Sequence, residues 1–120
     1  MESALSRAGG NYRSAYYDLL PTAQWRDPKY QQAVAELVLL AGRVQGAEPL
    51  PMGLDDARRL YRESALRSKW AAMHLEAYYF NGTGGFPENA GLSKCIGQII
   101  SSETPLSTIS YCYEQYDNED

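Results

Sequence analysis

Apolar residues in this chain recur mostly at intervals of three and four, and few stretches alternate with period two, so the pattern predicts helices. Tyr12, Ala15, Tyr16 and Leu19 mark one helix from Asn11, and Pro21 is expected to end it because proline cannot continue the hydrogen-bond ladder. Residues 3–19 as a whole are helix-prone apart from Gly9 and Gly10, which end or break a short first turn. Asp27-Pro28 reads as a cap followed by proline at the first helical position. The stripe Tyr30, Ala33, Val34, Leu37, Val38, Leu40 and Ala41 follows, wide enough to be buried nearly all round, in a helix ending at Gly42 or Gly46. Gly46 to Gly53, with Pro49 and Pro51, reads as a loop.

The next two helices lie close together. Leu54–Ser68 carries Ala57, Leu60, Tyr61, Ser64 and Ala65 on one face, with Asp55 and Asp56 in its first turn and Arg67 in its last. After a tight turn, Trp70–Asn81 places Ala71, Leu75 and Tyr79 in a row, with Ala72 beside them. Asn81-Gly82-Thr83-Gly84-Gly85 supplies residues that tolerate positive φ. Asn89 is a cap for a helix with Leu92, Cys95, Ile96, Ile99 and Ile100 on its apolar face. Thr104-Pro105 repeats the cap-and-proline start for a last helix to Tyr116, with Ile109, Cys112, Tyr113 and Tyr116 on one side. The prediction is an all-α chain of about six helices, its neighbours antiparallel because the connections are short.

Some of these positions repeat. Ala71, Leu75 and Tyr79 shift back by thirty-eight to Ala33, Leu37 and Ala41, and forward by thirty-seven to Thr108, Cys112 and Tyr116. Ala57, Leu60, Tyr61, Ser64 and Ala65 shift by thirty-five to Leu92, Cys95, Ile96, Ile99 and Ile100. A hairpin of this kind cannot bury its own apolar face and must stack on a neighbour.

The residues that repeat resemble a known family. Ala71-x-x-x-Leu75-x-x-x-Tyr79-x-x-Gly82-x-Gly84 is similar to the first helix and loop of Sel-one-like repeats, relatives of tetratricopeptide repeats. Asp56-Ala57-x-x-Leu60-Tyr61-x-x-Ser64-Ala65 resembles the family's second helix. The likeness is clearest over residues 54–85 and weaker over 28–53 and 86–120. Glu76 stands where the family has glycine, the turn before Trp70 is about one residue short, and Ala41 takes the place of the tyrosine in the first unit.

The resemblance implies a short right-handed α-solenoid of stacked antiparallel hairpins that binds proteins through its concave surface and does no catalysis. It assigns the groove to the first helix of each pair: Glu36 and Leu40, then His74 and Tyr78, then Tyr111 or Gln115. Trp70, with His74, Tyr78 and Glu76, would form an aromatic-polar patch, or Trp70 would pack at the helix start. Tyr61 and Tyr79 are expected in packing, leaving Tyr78 to meet a partner. Residues 1–120 read as one domain, or as a piece of a longer array, because the pattern stops just after Asn118 where another loop would begin.

Charge and composition narrow the partners. The net charge of −4 argues against nucleic acid, which needs clustered Lys and Arg. Arg58, Arg59, Arg62, Arg67 and Lys69 are interleaved with Asp55, Asp56 and Glu63, as on a solvated mixed-charge face, and the tail from Glu114 to Asp120 is acidic. Ten tyrosines suit wet cores and protein-binding surfaces alike. The longest apolar run, Ala33–Gly42, is too short for a bilayer and is broken by Glu36. The start lacks a basic segment followed by an apolar one, so the chain as given reads as cytoplasmic, or as periplasmic if it is a processed form.

Candidate chemistry is sparse. His74 is the only histidine, no spacing of His, Cys and carboxylates suggests a metal, and no cofactor motif or catalytic signature appears. Gly82-x-Gly84-Gly85 follows a helix, not a strand, so it is no dinucleotide fingerprint. Asn81-Gly82-Thr83 fits the glycosylation triplet, a pattern common by chance. Cys95 and Cys112 sit at equal distances from the turn at Glu103-Thr104, so an antiparallel hairpin brings them face to face, either as a disulfide or as two buried thiols.

The function these features point to is a non-catalytic module binding another protein. One narrower form is a bacterial immunity protein that neutralises a secreted effector, for which an acidic, tyrosine-rich helical domain is suited. The competing classes are a structural segment of a larger repeat protein, and an enzyme, which would need titratable groups converging in a pocket.

Overall fold

The computed structural model describes residues 10–24, 27–43 and 50–116. They form six α-helices: α1 (Gly10–Gln24), α2 (Pro28–Ala41), α3 (Leu54–Ala65), α4 (Lys69–Asn81), α5 (Ala90–Ser101) and α6 (Ile109–Tyr116). A single 3₁₀ turn, Leu106–Thr108, leads into α6, and no strand occurs among the described residues. The expectations for residues 3–9, for the start of the loop at Gly46–Pro49, for the tail at Asp117–Asp120 and for the side chain of Tyr12 lie outside the described residues.

Local chemistry sets the helix ends. Asp27 accepts a hydrogen bond from the Lys29 amide at 3.0 Å, and Pro28 occupies the first helical position, where a missing N–H costs nothing. Ser68 leaves helical geometry (φ −127°, ψ 116°) to accept from the Ala71 amide, which ends α3 at Ala65 rather than at Ser68. Asn89 caps α5 by accepting from Leu92. Gly82 ends α4 in the left-handed conformation (φ 68°), where the Gly82 and Thr83 amides both reach the Tyr78 carbonyl.

Two sequence expectations are corrected. Pro21 does not stop the first helix but lies inside α1, three residues from its end. Its fixed φ is itself helical, and the cost is the one hydrogen bond that its missing N–H would have donated to the carbonyl one turn earlier. Thr104 does not cap the last helix, because its hydroxyl pairs with that of Ser102 at 2.7 Å; Pro105 and the 3₁₀ turn make the entry instead.

Neighbouring helices are antiparallel. Gln31 at the start of α2 bonds Glu63 and Arg67 near the end of α3, while Gly42 after α2 lies against Leu54 at the start of α3. The Tyr79 carbonyl accepts from the Asn89 amide, and Ser93 donates to the Glu76 carbonyl one turn further along. Across α5 and α6, Cys95 meets Cys112 and Gly91 lies under the Tyr116 ring. The helices α2 and α4 are next to each other as well.

All six helices feed one apolar cluster. Tyr16 comes from α1; Val34, Ala35, Leu37, Val38 and Leu39 from α2; Ala57, Tyr61 and Ala65 from α3. Ala71, Ala72, Leu75 and Tyr79 come from α4, Leu92 and Ile96 from α5, Ile109 and Cys112 from α6. The final helix does not simply extend the row. Tyr113 reaches past α5 to donate to the Arg62 carbonyl on α3, with the Arg62 guanidinium 4.4 Å above its ring. No helix of the described chain is long and apolar enough to cross a membrane.

Candidate protein-binding face

A seam of polar and aromatic groups joins α2 to α4. Gln32 is buried one turn before Glu36, and its amide donates to the Tyr61 hydroxyl at 3.1 Å and to Glu36 at 3.4 Å. The Tyr78 hydroxyl donates to the other oxygen of Glu36 at 2.8 Å. The Tyr61 and Tyr78 rings meet edge to face, and Phe86, carried back by the glycine loop, packs against Tyr61, Tyr78 and Tyr79. Gly84 makes this possible. Its φ of 68° suits glycine, and a Cβ there would stand 2.6 Å from the Tyr78 ring.

This environment keeps the phenols neutral. Burial, reinforced by donation to Glu36 and by its charge, pushes Tyr78 up to about 12. Burial, then the Glu36 charge, pushes the wholly enclosed Tyr61 higher still. The seam therefore holds its two phenolic protons firmly. Among the described residues no group of three or more His, Cys, Asp or Glu could hold a metal ion.

Tyr78 was expected to be free for a partner, and here the expectation is corrected: its ring is stacked on Phe86, its face is closed by Gly84 and its hydroxyl is bonded to Glu36. The residue before the seam on the same ridge, His74, is half-buried between Tyr78 and Trp70, with ring centroids at 6.2 and 4.7 Å. Trp70 does not pack at the helix start, since 64% of it is exposed. Leu40 is half-buried, one turn after Glu36, and packs against the core. Tyr111 and Gln115 point to solvent from α6, and the ring contacts joining Trp70, His74 and Tyr78 do not extend to Tyr111. The structure thus gathers Glu36, His74, Tyr78 and Trp70 and leaves Tyr111 apart.

The open surface lies beside the seam, on α4 itself. Ala71, Ala72, Leu75 and Tyr79 fill the core side completely. On the other side Met73, Ala77 and Phe80 continue from Trp70 at spacings of three and four, and Phe80 is 65% exposed. The helix is apolar on two faces and only one is covered. Sequence reading placed the covered face and missed Met73 and Phe80, although a helix with apolar residues on nearly every side is itself the signal that a second surface is present. It also missed Gln32 and Phe86, the hidden supports of the seam, for which only Gln32 within a wide apolar stripe gave a hint.

Glu76 bounds the stripe on the α5 side. It replaces the glycine of the resembled pattern, and Gly97 on α5 provides the space, since a Cβ there would collide with the Glu76 carboxylate. Cys95 and Cys112 form a disulfide, with Cα atoms 5.8 Å apart, and it fastens α6 to α5. The arginines of α3 are taken up locally: Arg58 pairs with Asp55, Arg59 with Asp56 at 2.8 Å, and Arg58 also donates to the Gly85 carbonyl at 3.1 Å.

The described residues define a class: an all-helical protein with an uncovered apolar face on α4. No protein-family model matches this chain, and no curated protein and no solved structure matches it either.

Proposed function

We propose that the chain is a non-catalytic protein-interaction module, a short stack of Sel-one-like helical hairpins that binds a partner protein through α4. The contact of α2 with α4, and the left-handed glycines of the loop after α4, support the repeat reading. The observation that carries the function is the exposed stripe of Trp70, Met73, Ala77 and Phe80. Apolar surface concentrated in one strip marks an interaction site, whereas scattered exposed residues do not. Trp and Met are also enriched at interface cores. The seam beside the stripe holds that edge of α4 in place through Tyr78, Glu36 and Phe86.

The Cys95–Cys112 bridge supports a working place in an oxidising compartment, as the periplasmic alternative requires.

A photo-reactive residue at Ala77 tests the assignment in the native host. Crosslinking to one host protein from position 77, and none from Arg59 on the far, charged side of α3, is the expected result. A partner captured from position 59 and never from 77 would refute the α4 face.

A further inference from the structure

The α4 stripe has a definite length and definite edges. From Trp70 to Phe80 it spans eleven residues, about 15 Å at the helical rise. A half-buried carboxylate stands on each side of it: Glu36 across the α2 seam, and Glu76 over Gly97 of α5. Glu36 is held by Gln32 and Tyr78, so its position is fixed before any partner arrives. Glu76 is confined by the α4–α5 crossing, where its own carbonyl accepts from Ser93. The nearby cations differ in kind. Lys69 and Lys94 are exposed, and Arg43, beyond the end of α2, donates to the Leu39 carbonyl. The carboxylates are thus the pre-oriented charges of this face, and oriented acceptors select donors.

We infer that the stripe docks a basic amphipathic helix of a partner protein, seating its apolar residues on Trp70, Met73 and Phe80 and its Lys or Arg side chains on Glu36 and Glu76. The inference rests on the proposed binding role of α4 and names the chemistry of the partner. A helix fits because the exposed side chains at spacings of three and four form a ridge that a second helix can straddle, with anchors at its own i, i+3 or i+4, and i+7 positions. The net charge of −4 favours encounter with a basic segment.

Two helical peptides of eighteen residues, alike in their Leu and Phe stripe but flanked by Lys in one and Glu in the other, test this against the full chain by fluorescence anisotropy. The Lys peptide is expected to bind at least tenfold more tightly, more weakly as salt rises, and about tenfold more weakly to the double variant Glu36→Gln, Glu76→Gln. Phe80→Ser should abolish its binding. Equal affinity for the two peptides, no binding of either, or a Lys-peptide affinity unchanged in the double variant would overturn the inference. So would a stable dimer in sedimentation that Phe80→Ser dissolves, because the occupant would then be a second copy. If crosslinking from position 77 still captures a host protein while the peptides show no preference for charge, the basic partner is wrong and the α4 face stands. If crosslinking also fails, the face itself is wrong.

Discussion

Tyr78 joins three parts of the molecule: its hydroxyl serves Glu36 on α2, its ring stacks on Phe86, and Gly84 leaves room for it. Two consequences can be measured. Tyr78 titrates near 10 when unfolded and about 12 when folded, so the folded state holds the proton longer. Its contribution is complete below pH 10 and is lost as pH rises through 12. Urea unfolding at pH 9 and pH 11.5 should show the wild type losing stability at the higher pH, with a smaller loss in Tyr78→Phe. The second consequence concerns Gly84. Gly84→Ala must accept a positive φ and displace a stacked ring, and it should cost about 2 kcal/mol in the same assay. The sequence showed that Gly84 tolerates positive φ, but not that Tyr78 lies against it. That contact depends on the path of a loop, which residue spacing does not encode.

The helix α4 is apolar on two sides, and the two sides differ in what substitution costs. Leu75 is wholly buried, and Leu75→Ala should lose about 3 kcal/mol by thermal or urea unfolding. Trp70→Ser and Phe80→Ser, on the open side, should stay within about 0.5 kcal/mol of wild type. The helices were largely legible, since periodicity and the caps Asp27 and Asn89 are local signals. The limits at Pro21 and Thr104 were not. A proline can sit in a last turn, and a threonine hydroxyl can choose Ser102 over the backbone. The pairing of α5 with α6 is a longer-range case that symmetry about a turn can reach. With the disulfide closing a loop of sequence separation 17, Cys95→Ala with Cys112→Ala should lose about 3 kcal/mol, read as a drop in melting temperature that reductant reproduces in the wild type.

For the whole molecule, the core is shared and the surface is divided. The described residues extend 40 × 27 × 26 Å, with buried side chains from all six helices in one cluster. The α3 side neutralises its own charges through Arg58–Asp55 and Arg59–Asp56, while the α4 side leaves aromatic and thioether groups in water. The placement of α6 was not readable from the repeat spacing. An offset of thirty-seven residues puts Tyr116 in register with Tyr79, yet Tyr113 turns back to α3, because the arginine ring contact and the Arg62 carbonyl are features of the assembled surface rather than of the period. Tyr111 is consequently not grouped with Trp70 and His74.

The proposed binding role of α4 is tested most directly by the affinity of the crosslinked partner, purified and titrated calorimetrically into the wild type and into the double variant Trp70→Ser, Phe80→Ser. The stripe as a hot spot predicts at least a thirtyfold rise in Kd, equivalent to about 2 kcal/mol, with the melting temperature unchanged. An unchanged Kd in a variant that remains folded would contradict it.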